Sequence, residues 1–310
     1  MKILVTGGAG YFGSVLVPEL LRAGHSVTVL DSLLYGGTGL LQNFGNRNFR
    51  FIRGDVRDEP VLRQAADEAD VIIHLAAIVG YPACRKDERL AEEVNLGGTR
   101  NVAAAASSGQ TVIFASTGSN YGAVDGVCTE ETPLQPLSVY GRTKTEAEHL
   151  LLQSCPVVAY RFATAFGISP RLRLDLMIND FVYQALKTKN LIVYEKNFRR
   201  TFIHVCDMAR AIRFALDHLP EMRGQVYNVG GDSMNLTKED VARKLREKVE
   251  FYLHFAEVGK DEDQRNYEVS YKKIRDLGFD VTISLDEGLD ELIRGMQVVQ
   301  VTNPYSNVYF

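Results

Sequence analysis

The first thirteen residues constrain this chain more than any other segment. Met1-Lys-Ile-Leu-Val-Thr-Gly-Gly-Ala-Gly10 reads as a buried strand running into a glycine-rich turn. The turn continues to Gly13, and a helix-like stretch follows over 15–22. The spacing Gly7-x-x-Gly10-x-x-Gly13 gives each glycine a separate task. Gly7 permits the tight turn, Gly10 lets the backbone approach a pyrophosphate, and Gly13 lets helix and strand pack closely. The helix then aims its unpaired N–H groups at phosphate oxygens, with Tyr11 and Phe12 beside them on the turn. A second strand-like run, Ser26-Val-Thr-Val-Leu-Asp31, ends in an acid about 20 residues on, where a carboxylate meets the adenosine ribose hydroxyls. No Arg or Lys follows Asp31 within the next three residues, so a 2′-phosphate has no partner. The reading is therefore NAD rather than NADP.

Strand-like runs at 3–6, 27–30, 49–52, 71–75, 112–115 and 157–161 alternate with helical stretches, among them 60–67, 95–107 and 139–153. Short apolar, β-branched strands with crossover helices predict an α/β fold built on a doubly wound parallel Rossmann sheet. Pro18 lies inside the first helix and forfeits a ladder bond to Ser14, away from the phosphate-facing end. After about residue 165 the alternation gives way to Pro170, an Arg-rich loop, a helix over 178–187 and a short strand over 191–194. This divides the chain into an NAD-binding Rossmann domain at 1–165 and a smaller C-terminal α/β lobe at 166–310 that mainly binds substrate. The run 226–230 reads as one more strand returning to the main sheet, and Thr237-Lys-Glu-Asp240 as a capping box opening a helix to 249.

Composition closes off several classes. At 310 residues the chain can bury a large core, and its net charge of −4 offers no basic field for nucleic acid. No apolar run approaches the roughly 18 residues of a membrane span, and neither a span nor a cleavable signal is expected. Cys84, Cys128, Cys155 and Cys206 lie far apart without a C-x-x-C, as reduced thiols of a cytoplasmic protein would, and no metal-type spacing occurs.

Tyr140-Gly-Arg-Thr-Lys144 carries the second strong signal. A tyrosine and a lysine four apart share one helix face. A phenol with an ordinary pKa of about 10 is a poor base near neutrality, but an adjacent ammonium favours the phenolate. An oxidised nicotinamide adds a second positive charge, which gives a base able to take a hydroxyl proton while hydride leaves the same carbon. The spacing recurs at Tyr183 and Lys187, which are assigned to helix packing and solvent. The first copy is distinguished by a strand ending in Ser116-Thr117 about two dozen residues earlier, whose hydroxyl can hold the same substrate oxygen.

Along nearly its whole length the chain resembles the extended short-chain dehydrogenases/reductases of the nucleotide-sugar epimerase/dehydratase type. The matching pieces are the glycine triplet, Asp31, Gly54-Asp55-Val56, His74-Leu-Ala-Ala77, Asn95 with Gly98-Thr99, Ser116-Thr117, Tyr121-Gly122, Tyr140-x-x-x-Lys144 and Arg200-Thr-Phe-Ile-His204. The resemblance implies that Asp55 and Val56 flank the adenine, that Leu75, Ala76 and Ala77 line the cofactor cleft, and that Lys144 also reaches the nicotinamide ribose. It makes Thr117 the active-site hydroxyl and Tyr140 the catalytic acid/base. Gly118, Ser119 and Thr164 fall at substrate positions, and Asn179, Arg200 and Arg265 at positions that hold the nucleotide-sugar diphosphate. His74 reads as a satisfied strand-end histidine, His204 and Asp207 as cap and loop anchors, and Asn95 as the prop of a distorted helix. By the same resemblance the helices after Asn95 and around Tyr140 pair across a two-fold as a four-helix bundle, making a homodimer.

Departures from the family pattern bear on the reaction. Dehydratases of this type carry Asp-Glu after the active-site hydroxyl, and this chain has Gly118-Ser119; the related decarboxylases place a Glu where Ser119 stands. The run Arg161-Phe-Ala-Thr-Ala-Phe-Gly167 puts Thr164 in place of a substrate-contacting Asn. With Ser169-Pro-Arg-Leu-Arg-Leu-Asp175, Asn179-Asp-Phe181 and Arg265-Asn-Tyr267, it resembles a branch found with bacterial surface-polysaccharide genes that includes GDP-heptose C4-dehydrogenases. The expectation is C4 redox chemistry on a nucleotide-diphosphate sugar, by a 4-epimerase or a C4-dehydrogenase. An NAD(P)H-dependent 4-ketosugar reductase and a non-catalytic NAD-binding regulator are the alternatives.

Overall fold

Seven parallel strands form the central sheet of the computed structural model, which describes residues 1–258, 266–299 and 307. Among all the strands described, of which seven make this sheet, the first in chain order are β1 (Lys2–Thr6), β2 (Ser26–Asp31), β3 (Phe49–Arg53), β4 (Val71–His74), β5 (Thr111–Thr117), β6 (Ala123–Cys128) and β7 (Val157–Phe162). They continue with β8 (Thr164–Phe166), β9 (Asn190–Tyr194), β10 (Arg199–His204), β11 (Gln225–Val229), β12 (Asn235–Thr237), β13 (Tyr252–Ala256) and β14 (Asn266–Val269). The sheet order is β11-β7-β5-β4-β1-β2-β3, so the chain winds outward from β1 to β3 and then returns to the other side at β4. A crevice opens where the winding reverses, at the carboxyl ends of β1 and β4. Parallel register brings Thr6, Leu30 and His74 level there, and Thr117 level with Phe162 farther along the same edge.

Both faces of the sheet are covered, which is why β4, β5 and β7 are nearly continuous buried apolar runs. Leu16 and Leu20 of the helix Gly13–Arg22 and Ile212 of the helix Val205–Asp217 pack on one face. Leu62, Val102 and Leu151 pack on the other, each fully buried and worth about 1.5–3 kcal/mol relative to exposure. The first helix runs through Pro18 without a break and starts two residues earlier than the sequence suggests. The run 226–230 is β11, paired in parallel with β7 at the sheet edge. A third apolar cluster joins the helices Met177–Lys187, Lys238–Lys248 and Leu285–Val298; Thr237 and Asp240 form the expected reciprocal cap on the second of these.

The stretch 95–107 does not form one helix. An α-helix over Glu88–Glu92 widens into a π-type turn at Glu93–Gly97, and α-geometry resumes over Gly98–Ala105. Asn95 explains the widening. Its buried carboxamide accepts from Ile78 N (2.7 Å), donates to Ile78 O (3.0 Å) and donates to Thr143 Oγ1 (3.1 Å), so side-chain bonds to a neighbouring loop compete with a regular ladder.

The glycine turn is held by contacts that leave no room for a Cβ at two of its three positions. Gly7 has φ +74° and sits against Ala76, and a Cβ on Gly13 would lie 2.5 Å from Gly8 Cα. Gly10 differs, since its Cβ would meet only Gly7 O, at 3.3 Å. Gly13→Ala should therefore destabilise the fold by about 3 kcal/mol or more. Gly10→Ala should fold normally and lose dinucleotide affinity. Thermal unfolding beside NAD titration checks both, and a Gly13→Ala variant as stable as the parent would contradict the packing argument.

Candidate active site

A cavity of about 670 Å3 opens at the carboxyl edge of the sheet. Its wall takes Gly7, Gly10, Tyr11, Phe12 and Gly13 from the turn, Asp31 from β2, and Asp55 and Val56 from the loop after β3. Leu75, Ala76 and Ala77 follow β4; Thr117 and Ser119 follow β5; Tyr140 and Lys144 come from the helix Val139–Ser154; and Thr164 comes from β8. Most sequence-derived positions thus meet around one space. Gly118 is buried behind its neighbours and is not part of the wall.

Asp31 braces the turn, accepting from Ala9 N (2.9 Å) and Leu33 N (2.8 Å). Burial raises its carboxyl above the ordinary range, and those two N–H bonds oppose the rise. Asp55 is spent on Arg57, whose Nε and Nη2 donate to it at 3.0 and 2.8 Å and hold its pKa low. What Asp55 offers the cavity is chiefly its backbone and the neighbouring Val56.

The chemical group is assembled by Ser138, which caps the helix Val139–Ser154 by accepting from Gly141 N and so sets the direction of its first turn. Tyr140 lies in that turn and Lys144 one turn later. Thr117 Oγ1 accepts from Ser119 N and donates to Ser119 Oγ, both at 3.1 Å. The Lys144 ammonium lies 3.9 Å from the centroid of the Phe114 ring and, among the described residues, meets no hydrogen-bond acceptor. Burial lowers its pKa to about 7, and Glu148 opposes that shift.

Beneath the group lies a buried charge network. Glu148, fully buried, accepts from Arg161 Nη2 at 2.7 Å and from Arg161 Nε at 3.2 Å. Ser116 Oγ donates to the same carboxylate at 2.5 Å and Asn120 Nδ2 at 3.4 Å. One carboxylate thus fixes the helix of Tyr140 and Lys144 against the strand end of Thr117.

His74 lies between Thr6 Oγ1 (2.7 Å) and Thr99 Oγ1 (3.0 Å), and burial with the nearby Lys144 lowers its pKa to about 3. It is a satisfied neutral imidazole, as expected. His204 caps the helix Val205–Asp217, and Asp207 accepts from Thr282 N and Ile283 N.

The diphosphate positions are the main departure. Asn179 is fully buried and not part of the wall; its carboxamide accepts from Gly167 N and donates to Arg173 O. This side chain is committed to folding the loop between β8 and the helix Met177–Lys187. Arg200 is buried on β10 and also outside the wall, and Arg265 lies outside the described residues. The wall carries instead Arg171 and Arg173, with Tyr35 and Asn307. Arg173 pairs with Asp175 through two bonds, Nε–Oδ1 at 3.1 Å and Nη2–Oδ2 at 2.6 Å. The loop carrying these arginines is tied to the glycine turn: Ser169 Oγ donates to Tyr11 O (2.6 Å), and Tyr11 Oη to Gly167 O (2.8 Å). The sequence displays both arginines and the nearby Asp175, but not that Arg171 meets Asn307, 136 positions away, or the ring of Tyr35.

A family model described as the NAD dependent epimerase/dehydratase family matches residues 3–230. The chain belongs to that family. Among its relatives, the low-salt glycan biosynthesis protein Agl12 of Haloferax volcanii is 32% identical, over 94% of this chain and 97% of the relative. A dTDP-glucose 4,6-dehydratase of Streptomyces niveus is 31% identical, over 94% and 92%. Among solved structures, a UDP-glucuronic acid 4-epimerase from Bacillus cereus, in complex with UDP-glucuronic acid and NAD, superposes with a TM-score of 0.85 at 29% identity, over 96% of this chain and 99% of the other.

As a member of the epimerase/dehydratase family the protein is an NAD-dependent enzyme of the short-chain dehydrogenase/reductase type. Its turn fits that cofactor. The helix Gly13–Arg22 has no side-chain cap and no acid in its first turn, Gly10 leaves open the space a Cβ would fill, and Asp31 stands at the cavity wall. No helix among the described residues is long and apolar enough to cross a membrane, and no cluster of His, Cys, Asp or Glu there could hold a metal.

The buried Lys144 has a measurable signature. A lysine whose pKa is lower in the folded state costs stability wherever it is charged, and the cost is full below about pH 7. Between pH 7 and its ordinary value the unfolded chain binds the extra proton, so stability rises with pH. Lys144→Met removes this cost, on the order of 4 kcal/mol at its largest. The variant should gain more stability at pH 6 than at pH 9 in urea unfolding; an equal gain at both would contradict the buried-charge account.

Proposed function

We propose that the protein oxidises C4 of a nucleotide-diphosphate sugar, as a 4-epimerase or a C4-dehydrogenase, with Tyr140 as the acid/base. The observation that carries this reading is the setting of Thr117. It shares a cavity with Tyr140, Lys144 and the glycine turn, and its hydroxyl is bonded to Ser119, where dehydratases of this type carry an acid. Among the described residues the carboxylates of the cavity wall are Asp31 and Asp55, one bound to the turn and the other to Arg57. Elimination of water needs an acid and a base beside the sugar, whereas redox at C4 needs only the groups present.

The Tyr140 phenolate, favoured by the nearby Lys144 ammonium, takes the proton of the sugar 4-hydroxyl and becomes the phenol. Thr117 Oγ1 holds the same oxygen, oriented by its bond from Ser119 N. When bound, NAD would supply the two-electron acceptor for oxidation at C4, and in an epimerase the 4-keto sugar would reoxidise the same cofactor. A net dehydrogenase uses the same residues with a second substrate to reoxidise the reduced cofactor. Asp31 and the lack of a nearby basic residue in the sequence weigh against an NADP-dependent ketosugar reductase, and the intact Tyr140 and Lys144 against a non-catalytic regulator. The reading assigns the enzyme to surface-polysaccharide sugar biosynthesis in the cytoplasm.

Association as a homodimer belongs to the same proposal. The helices Gly98–Ala105 and Val139–Ser154 lie side by side, and this seam borders the partly exposed Arg142, which pairs with Glu92 of the helix Glu88–Glu92 and with Glu146. Pairing of this seam across a two-fold gives a bundle held partly by charge. Light scattering should give about twice the 34.6 kDa chain mass, with a salt-weakened dimer; a monomer at all concentrations would remove the bundle.

The reaction is tested with UDP-, dTDP-, CDP- and GDP-sugars, including GDP-heptose, following the C4 proton by NMR beside NADH absorbance. An epimerase converts substrate steadily without accumulating NADH, and a dehydrogenase gives one stoichiometric burst. Tyr140→Phe should reduce turnover by about three orders of magnitude or more while NAD stays bound; retained activity would remove Tyr140 from its role.

A further inference from the structure

Arg171 stands out among the charged side chains of the cavity. Its neighbour Arg173 is matched by both oxygens of Asp175, whereas Arg171 has no carboxylate within salt-bridge distance among the described residues. Its guanidinium donates to two neutral oxygens, Leu172 O (2.8 Å) and Asn307 Oδ1 (3.0 Å), and lies 4.7 Å from the centroid of the Tyr35 ring. Two of its five N–H groups are accounted for in this way. Burial and the neighbouring Arg173 hold the guanidinium below its ordinary range, opposed by Tyr35 and Asp175.

The position of Arg171 selects the anion. Its backbone N–H bonds Ser169 Oγ (3.2 Å), and that hydroxyl bonds Tyr11 O (2.6 Å), so its backbone is tethered to the turn that opens the first helix. Tyr35, against its other side, lies four residues beyond Asp31. The side chain thus lines the same cavity as the glycine turn and Asp31, beside the ring of Tyr35. Asn307 completes the enclosure by donating to Val79 O (3.4 Å) on the opposite wall.

We propose that Arg171 is the counter-ion of the cofactor's pyrophosphate, closing over it from the side opposite the glycine turn, with Tyr35 and Asn307 holding the guanidinium in place. Main-chain N–H groups grip the diphosphate from below and supply little net charge. Arg171 neutralises one of its two negative charges and gains an anionic partner that no described residue supplies within salt-bridge distance. The inference rests on the NAD dependence of the family and is independent of chemistry at C4.

The test is a set of binding measurements on cofactor-stripped full-length protein by calorimetry, with NAD+, ADP and adenosine as probes. Arg171→Gln should weaken NAD+ and ADP by about ten- to a hundredfold and leave adenosine within about twofold. Arg171→Lys should restore much of the loss, which separates charge from folding, and circular dichroism checks that each variant is native. NAD+ and ADP affinities unchanged in Arg171→Gln would overturn the proposal. It would equally fail if only UDP or GDP binding to the NAD-loaded protein fell, since the guanidinium would then serve the substrate's diphosphate. An equal loss for adenosine would also overturn it, as the effect would be on the shape of the pocket.

Discussion

A single buried carboxylate organises the reactive edge of this protein. Glu148 stands one helical turn beyond Lys144 and is removed from water entirely, a costly arrangement unless every lone pair finds a donor. Arg161, Ser116 and Asn120 supply those donors, and each comes from a different part of the edge: β7, the end of β5 and the turn after it. Thr117 and Tyr140 reach the same cavity because the elements that carry them share this anchor. Arg161 extends the network through Tyr121 to Asn228 on β11, which is how the last strand to join the sheet enters the support of the site.

The cofactor turn and the smaller lobe are joined by the packing of Tyr11 with Leu176 and Val205 and by a relay of specific bonds. Tyr11 contributes both its carbonyl and its hydroxyl, to Ser169 and Gly167. Asn179 grips Gly167 from the other side and reaches Arg173 O. A side chain that resemblance assigns to substrate is thus occupied in shaping the loop whose arginines face the cavity. The polarity of the wall is set by backbone tethers at Gly167 and Ser169 as much as by the residues displayed.

The sheet and the cofactor half of the site were legible in the sequence because their signals are local. A strand, three spaced glycines and an acid at the next strand end occupy thirty-one residues, and each has one steric or electrostatic task. Tyr140 and Lys144 are similarly fixed by helical spacing. The π-type turn at Glu93–Gly97 was foreseen in kind but not in extent, since its cause is a bond from Asn95 to Ile78, seventeen residues away. Arg171 was visible as charge and invisible as function, because its surroundings come from Tyr35, Ser169 and Asn307. Asn179 was expected at the substrate diphosphate, and its carboxamide bonds Gly167 and Arg173, contacts that the sequence alone does not display.

The contact between Arg171 and Asn307 also bears on how the protein is made. The glycine turn leaves the ribosome well before Asn307, so one wall of its cleft waits for a residue nearly three hundred positions later. A nascent chain can lay down β1 to β5 and begin to pack them, but the enclosure at Val79 forms only after Asn307 has emerged. Until then the cleft is more open, so dinucleotide entry is least obstructed during synthesis. A substitution at Asn307 therefore acts on the cleft built by the opposite end of the sequence.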